Sequence, residues 1–170
     1  MLTCSPFDAM AVPFDDAREP MALSRLRTIL LWTLVFGAAG MMGELLLIGH
    51  DESTAQFVPL VLLATGILVA GVLLVSPSRG RLRLMQLLMV LFLGAGILGV
   101  GLHYQGNNEF ELEMYPSLAG VELMSKALTG ATPVLAPGSM SLLGVVGLAL
   151  TYRHPLLRNK TLDPSEETHS

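Results

Sequence analysis

The sequence predicts an all-α integral membrane protein, an antiparallel bundle of four transmembrane helices with a short interfacial helix in the third connection. Three observations predict it. Four apolar runs, over residues 29–48, 57–76, 84–102 and 133–152, each come close to the ~20 residues with which a helix crosses ~30 Å of hydrocarbon. Hydrophobic residues make up 52% of the 170-residue chain and charged residues only 14%, against about a quarter charged in an ordinary soluble domain. Nine of the ten basic residues fall in three places: Arg18, Arg25 and Arg27 before the first run, Arg79, Arg81 and Arg83 between the second and third, and Arg153, Arg158 and Lys160 after the fourth. By the positive-inside bias both termini and the middle loop are cytoplasmic, and segments 49–56 and 103–132 face outward. A bacterial-type plasma (inner) membrane is the expected location. The chain then divides into a cytoplasmic tail over 1–25, a membrane domain over 26–154 and a second cytoplasmic tail over 155–170.

Taken in order, residues 1–20 mix Asp8, Pro13, Asp15, Asp16, Glu19 and Pro20 with small residues and offer no periodic apolar face, so a disordered tail is expected. Met21 onward reads as a natural start for a membrane protein. Ala38-Ala39-Gly40 resembles a signal-peptide cleavage site, yet apolar character continues through residues 45–48, which favours a retained anchor. The outer connection 49–56 and the inner one around Pro77 are only long enough for turns, which makes the first three helices sequential antiparallel neighbours.

The third connection, 103–132, is the one with room for structure of its own. Glu109, Phe110, Glu111, Leu112, Glu113 and Met114 alternate with period two, which predicts an extended segment on the membrane surface after a turn at Gly106-Asn107-Asn108. Ser117 can then cap a short interfacial helix with Leu118, Val121, Met124 and Leu128 on one face, ending at Gly130. In the fourth run Thr132 and Pro133 suit a helix start. Pro137 has two readings of equal weight: a kink near the outer boundary, or the true beginning of the regular helix.

Lipid tails give helices no hydrophobic reason to associate, so small residues mark the expected seams. They are Gly37, Ala39, Gly40 and Gly43 in the first helix, Gly66 and Ala70 in the second, Ala95, Gly96 and Gly99 in the third, and Ser141, Gly144 and Gly147 in the fourth. Gly37, Gly40, Gly99 and Gly144 are the expected close-packing positions.

Glu44 is the one ionisable residue inside an apolar run. It lies within about 20° of Gly37 and 40° of Gly40 around the helix, so it is expected to face the bundle. A carboxylate there costs a few kcal/mol at mid-bilayer and less near the helix end, about four residues away, where it can reach interfacial water. His103, at the outer end of the third helix, is its expected partner. With Tyr104 and Ser139 the two would line an outer polar pocket suited to a quinone or lipid head group, a metal or a partner subunit. His50, His103 and Glu44 lie at one level and are the raw material of a metal site; two histidines on different helices can also ligate a haem. The bland reading is histidine at a membrane interface ligating nothing, since no HxxxH or ExxH pair lies on one helix.

Other chemistry finds no foothold. The outer acidic residues Asp51, Glu52, Glu109, Glu111, Glu113 and Glu122 argue against nucleic acid. Cys4 is the single cysteine, which rules out an internal disulfide and a cysteine-based metal centre. Neither a phosphate loop nor a Gly-x-Ser-x-Gly elbow occurs. No cofactor is required by the sequence. The expectation is a non-catalytic accessory or scaffolding subunit, whose partners are the lipid bilayer and other membrane subunits or a second copy. A metal-, haem- or quinone-binding redox protein and a subunit of an oligomeric transporter or channel are the alternatives.

Overall fold

In the computed structural model, residues 20–50, 54–130 and 132–158 are described. They form α1 (Met21–Leu47), α2 (Thr54–Val75), α3 (Arg79–Met114), α4 (Gly120–Leu128) and α5 (Gly138–Thr151), followed by a single 3-10 turn at Pro155–Leu157. No strand occurs among the described residues. Three helices, α1, α2 and α3, are long and apolar enough to cross a membrane, and α5 is a shorter apolar helix. Both tails lie largely outside the described residues, so Cys4 and Lys160 do too.

The helices outrun the apolar runs because backbone hydrogen bonding continues wherever residues permit it. α1 begins eight positions before the run at 29, directly after Pro20, whose carbonyl accepts from Leu23 and Ser24. α3 begins at Arg79, since the Ser78 hydroxyl accepts from the Arg81 amide and caps the first turn. The basic middle connection thus shrinks to residues 76–78, and its arginines ride on the helix. At its far end α3 continues to Met114, 36 residues in all, about 54 Å. The extended segment expected at 109–114 and the turn at 106–108 are helical instead. A lone strand has no partner for its amides and carbonyls, whereas glutamate, leucine and methionine are good helix formers that satisfy their own backbone. Gln105 adds a side-chain bond to Glu109 one turn on, at 2.9 Å.

The short helix expected in the third connection is α4, with Glu122 in its first turn and Lys126 in its last, each favourable to the helix dipole. Ser117 does not cap it; Ala119 holds that position without a side-chain bond. α4 lies against α3 through buried Ala127, while Val121, Met124 and Leu128 stay exposed. Asn107 of α3 fixes it there. Its side-chain amide donates to the carbonyls of Ala127 (2.9 Å) and Thr132 (2.8 Å), and its oxygen accepts from the Thr132 amide (3.1 Å) and hydroxyl (2.6 Å). Lys126 caps the arrangement by standing 4.3 Å over the Tyr115 ring.

The start of α5 resolves the two readings of Pro137 in favour of the second: Pro137 is the N-cap and the regular helix begins at Gly138, after a coil of tight turns over 133–137. The helix is therefore 14 residues, not the 20 of the apolar run. α1 lies against α2 and α5, α2 against α3, and α3 most extensively against α5. Phe92, Leu34, Leu63, Met85 and Met89 are its largest fully buried apolar side chains. The α3–α5 seam is closed by glycine. A methyl group at Gly144 would sit 2.7 Å from the Met89 carbonyl oxygen and 2.9 Å from the Leu93 amide, and one at Gly96 would meet Ser141 and the Pro137 carbonyl. Ser141 crosses the same seam to donate to the Leu93 carbonyl at 3.0 Å. Across the molecule, Arg27 is buried at the start of α1 and its guanidinium donates to the carbonyls of Leu150 and, at 3.0 Å, Tyr152. Those carbonyls end α5 and lack helical partners, so one side chain both satisfies them and meets the negative end of the helix dipole.

Candidate functional site

His50, just past the end of α1, and His103 of α3 come near each other although α1 and α3 make no direct helix-to-helix contact, and two local devices orient them. α1 stops in a Schellman arrangement: the His50 amide bonds the Leu45 carbonyl at 2.9 Å, the Gly49 amide bonds that of Leu46 at 3.3 Å, and Gly49 has φ +67°. That left-handed residue is where glycine is needed, and it sets the direction in which His50 leaves the helix. On α3, His103 is half-buried with Nδ1 3.2 Å from the Pro133 carbonyl oxygen. A carbonyl only accepts, so Nδ1 carries a proton, and in the neutral ring the lone pair is on Nε2. The two imidazole rings stand 6.5 Å apart between centroids, tilted by 43°.

The other expected members are placed differently. Glu44 is exposed, and the bond His103 makes is to Pro133, not to this carboxylate. Tyr104 follows His103 on α3 and is half-buried. Ser139 is exposed and donates to the Ala136 carbonyl at 2.5 Å, with the Met41 sulfur of α1 at 3.5 Å. Among the described residues no group of three His, Cys, Asp or Glu is close enough to hold a metal; Asp51 and Glu52 lie outside them.

Of the glycines expected at close contacts, Gly37 meets the Leu143 side chain at 2.7 Å from a would-be Cβ, Gly99 meets Pro137 at 2.7 Å, and Gly144 meets backbone. Gly40 meets nothing within 4 Å, and neither does Gly43. The reason is rotational. α1 buries Arg27, Leu31, Leu34 and Ala38, a stripe at steps of four, three and four. Gly40 lies about 160° around the helix from Ala38 and Glu44 about 120°, so both are carried off the buried stripe. Phe36 (71% exposed), Ala39, Gly40, Glu44 and Leu47 (89% exposed) form the outward flank instead.

Sequence reasoning missed two residues that organise the molecule. Arg27 counted only as a topology charge, and Asn107 only as turn chemistry; an isolated polar residue carries no sign of which carbonyls it will find. Arg27 also lines a cleft of about 220 Å³ at the end of the molecule opposite the histidines, with Ser24, Thr28, Leu82, Leu150 and His154 among its walls. Compared with known protein families, with curated proteins and with solved structures, the chain has no match in any of the three.

Proposed function

We propose that this chain is a non-catalytic accessory or scaffolding subunit of a membrane complex, built as a four-transmembrane-helix bundle with both termini cytoplasmic in a plasma-type membrane. The observation that carries the reading is the outward flank of α1, where an exposed carboxylate, Glu44, stands within about 40° of exposed Gly40, with exposed Ala39 about 140° away at the far edge of the flank. A flank made only for lipid needs neither feature. An ionised carboxylate among acyl chains costs free energy, and small side chains forgo the dispersion contacts that leucine would make. Open glycines alone would not distinguish this flank, because Gly94 and Gly101 of α3 are equally open. The carboxylate does: it asks for a donor, and the adjacent small residues let a partner backbone come close enough to supply one. The occupant is a transmembrane helix of another subunit carrying a hydroxyl, amide or cationic side chain at the depth of Glu44. The nine clustered basic residues support the orientation, with Glu44 near the outer boundary.

The test is extraction of the tagged full chain from its native membrane in mild detergent, followed by identification of what copurifies. Defined membrane proteins should accompany the natural chain and be lost with Glu44→Gln and with Gly40→Leu, while Leu62→Ile retains them. Recovery of the same proteins with all variants, or of the chain alone, defeats the proposal. Orientation is checked with reporter fusions, cytoplasmic after Lys160 and at Gly80, external at Ser117; a cytoplasmic signal at Ser117 overturns it.

A further inference from the structure

The geometry points to a divalent transition-metal site formed by His50 and His103 where α1 ends and α3 leaves the membrane-sized part of the molecule. It does not rest on the accessory-subunit reading, because neither histidine belongs to the α1 flank that carries that reading: His50 lies beyond Leu47, the last residue of α1, and His103 is on α3.

Two observations converge on it. First, the rings are close to the separation that a shared ion imposes. With a metal–nitrogen distance of about 2.0–2.1 Å and a ring centre roughly 1.1 Å behind its nitrogen, two imidazoles on one tetrahedral ion have centres about 5 Å apart, and wider angles bring this to about 6 Å. The observed 6.5 Å is about 1.5 Å wider than the tetrahedral value, a gap that rotation of the two half-buried side chains toward each other has to close. Second, His103 is already arranged as ligating histidines are: its Nδ1 proton is given to a backbone carbonyl, that of Pro133, which fixes the tautomer and leaves Nε2 as the free donor atom. Neither ring floats on a loose chain. The Schellman end of α1 holds His50, and Pro133 stands in the tight turns that introduce α5, themselves tied to α3 by the Asn107 bonds to Thr132.

Imidazole nitrogen selects Zn²⁺, Cu²⁺ and Ni²⁺ over the hard cations Mg²⁺ and Ca²⁺, which need several oxygens. Two protein ligands leave the other coordination positions to water, so the site is open and its ion exchangeable. The competing account is a simple ring-to-ring contact, for which a 6.5 Å tilted pair is also within range.

Titration of Zn²⁺ into the purified full chain in detergent micelles separates the two. One equivalent should bind, and His50→Gln and His103→Gln should each weaken binding at least about tenfold, since even outer-shell partners of a ligand are worth about 10–100-fold. His154→Gln, at the opposite end, should leave it unchanged, and Mg²⁺ should not compete. Cu²⁺ in place of Zn²⁺ should give electron paramagnetic resonance couplings from two nitrogens in the natural chain and from one in either variant. Thermal unfolding without metal verifies that each variant is folded; a variant that fails this check is replaced by the asparagine substitution at the same position. No binding, binding that survives both histidine substitutions as it would on the acidic face of Glu109 and Glu113, or a Cu²⁺ signal with a single nitrogen overturns the proposal. Copurification of partner subunits through α1 is read separately, so either proposal can fail without the other.

Discussion

The seam between α3 and α5 and the outward flank of α1 are written in the same small-residue chemistry, yet one is closed and the other open. At Gly144 and Gly96 the facing backbone comes so near that a methyl group would overlap it, whereas around Gly40 and Gly43 there is only space. The difference teaches that glycine in a membrane helix permits close approach without commanding it. What commands it here is the second helix bringing complementary groups: Ser141 with its bond to the Leu93 carbonyl, and the Met89 side chain lying against Gly147. The α1 flank has the permission and a carboxylate, and among the described residues no helix answers them.

Breaking the closed seam should have the largest effect. Gly144→Leu must displace backbone on both sides, and a loss of about 3 kcal/mol or more is expected, read as a large fall in thermal stability in detergent. Gly144→Ala should already cost about 1–3 kcal/mol. Next comes the clasp over α4. Asn107→Ala leaves the Thr132 amide and hydroxyl and the Ala127 carbonyl without their partner, and about 2–3 kcal/mol is expected, together with faster proteolysis between residues 115 and 137 and little change in the α3–α5 seam. Gly49→Ala places a Cβ at φ +67° and should cost about 1 kcal/mol, mainly by loosening the end of α1 that aims His50. Gly40→Ala sharpens the comparison by doing nothing to the isolated chain: a change within about 0.5 kcal/mol is expected, because no atom lies near the added methyl. A Gly40→Ala variant as unstable as Gly144→Ala would erase the distinction between the two regions.

How far the sequence discloses this follows from how local each signal is. Apolar length and the clustering of arginines are properties of contiguous residues, and they locate α1, α2 and α3. The rotation of α1 is not local. Two stripes compete on that helix, glycines with Glu44 on one side and Leu31, Leu34 and Ala38 on the other, and which one turns inward depends on α2 and α5. The leucine stripe is the one buried, because larger side chains fill the space that α2 and α5 leave; of the glycines only Gly37, against Leu143 of α5, is closed over, while Gly40 and Gly43 are open. At 109–114 the period-two pattern was real but had no partner strand, and the helix already running through Tyr104 and Asn108 simply continued. In the candidate site, His50 and His103 could be matched by depth alone; the orienting Pro133 carbonyl could not, since it depends on where Pro137 ends the turns and starts α5.

The shortness of α5 has a consequence for the bilayer itself. Fourteen residues rise about 21 Å, whereas the 22 of neighbouring α2 rise about 33 Å, close to the full hydrocarbon thickness. In the spanning arrangement proposed above, lipid beside α5 has to thin, or the turns at 133–137 have to dip toward the acyl chains, while lipid beside α2 is unstrained. Such a lopsided annulus favours thinner membranes over thicker ones and favours neighbours that cover the α5 side, so bilayer thickness becomes a variable that sorts this protein and tunes how readily it assembles.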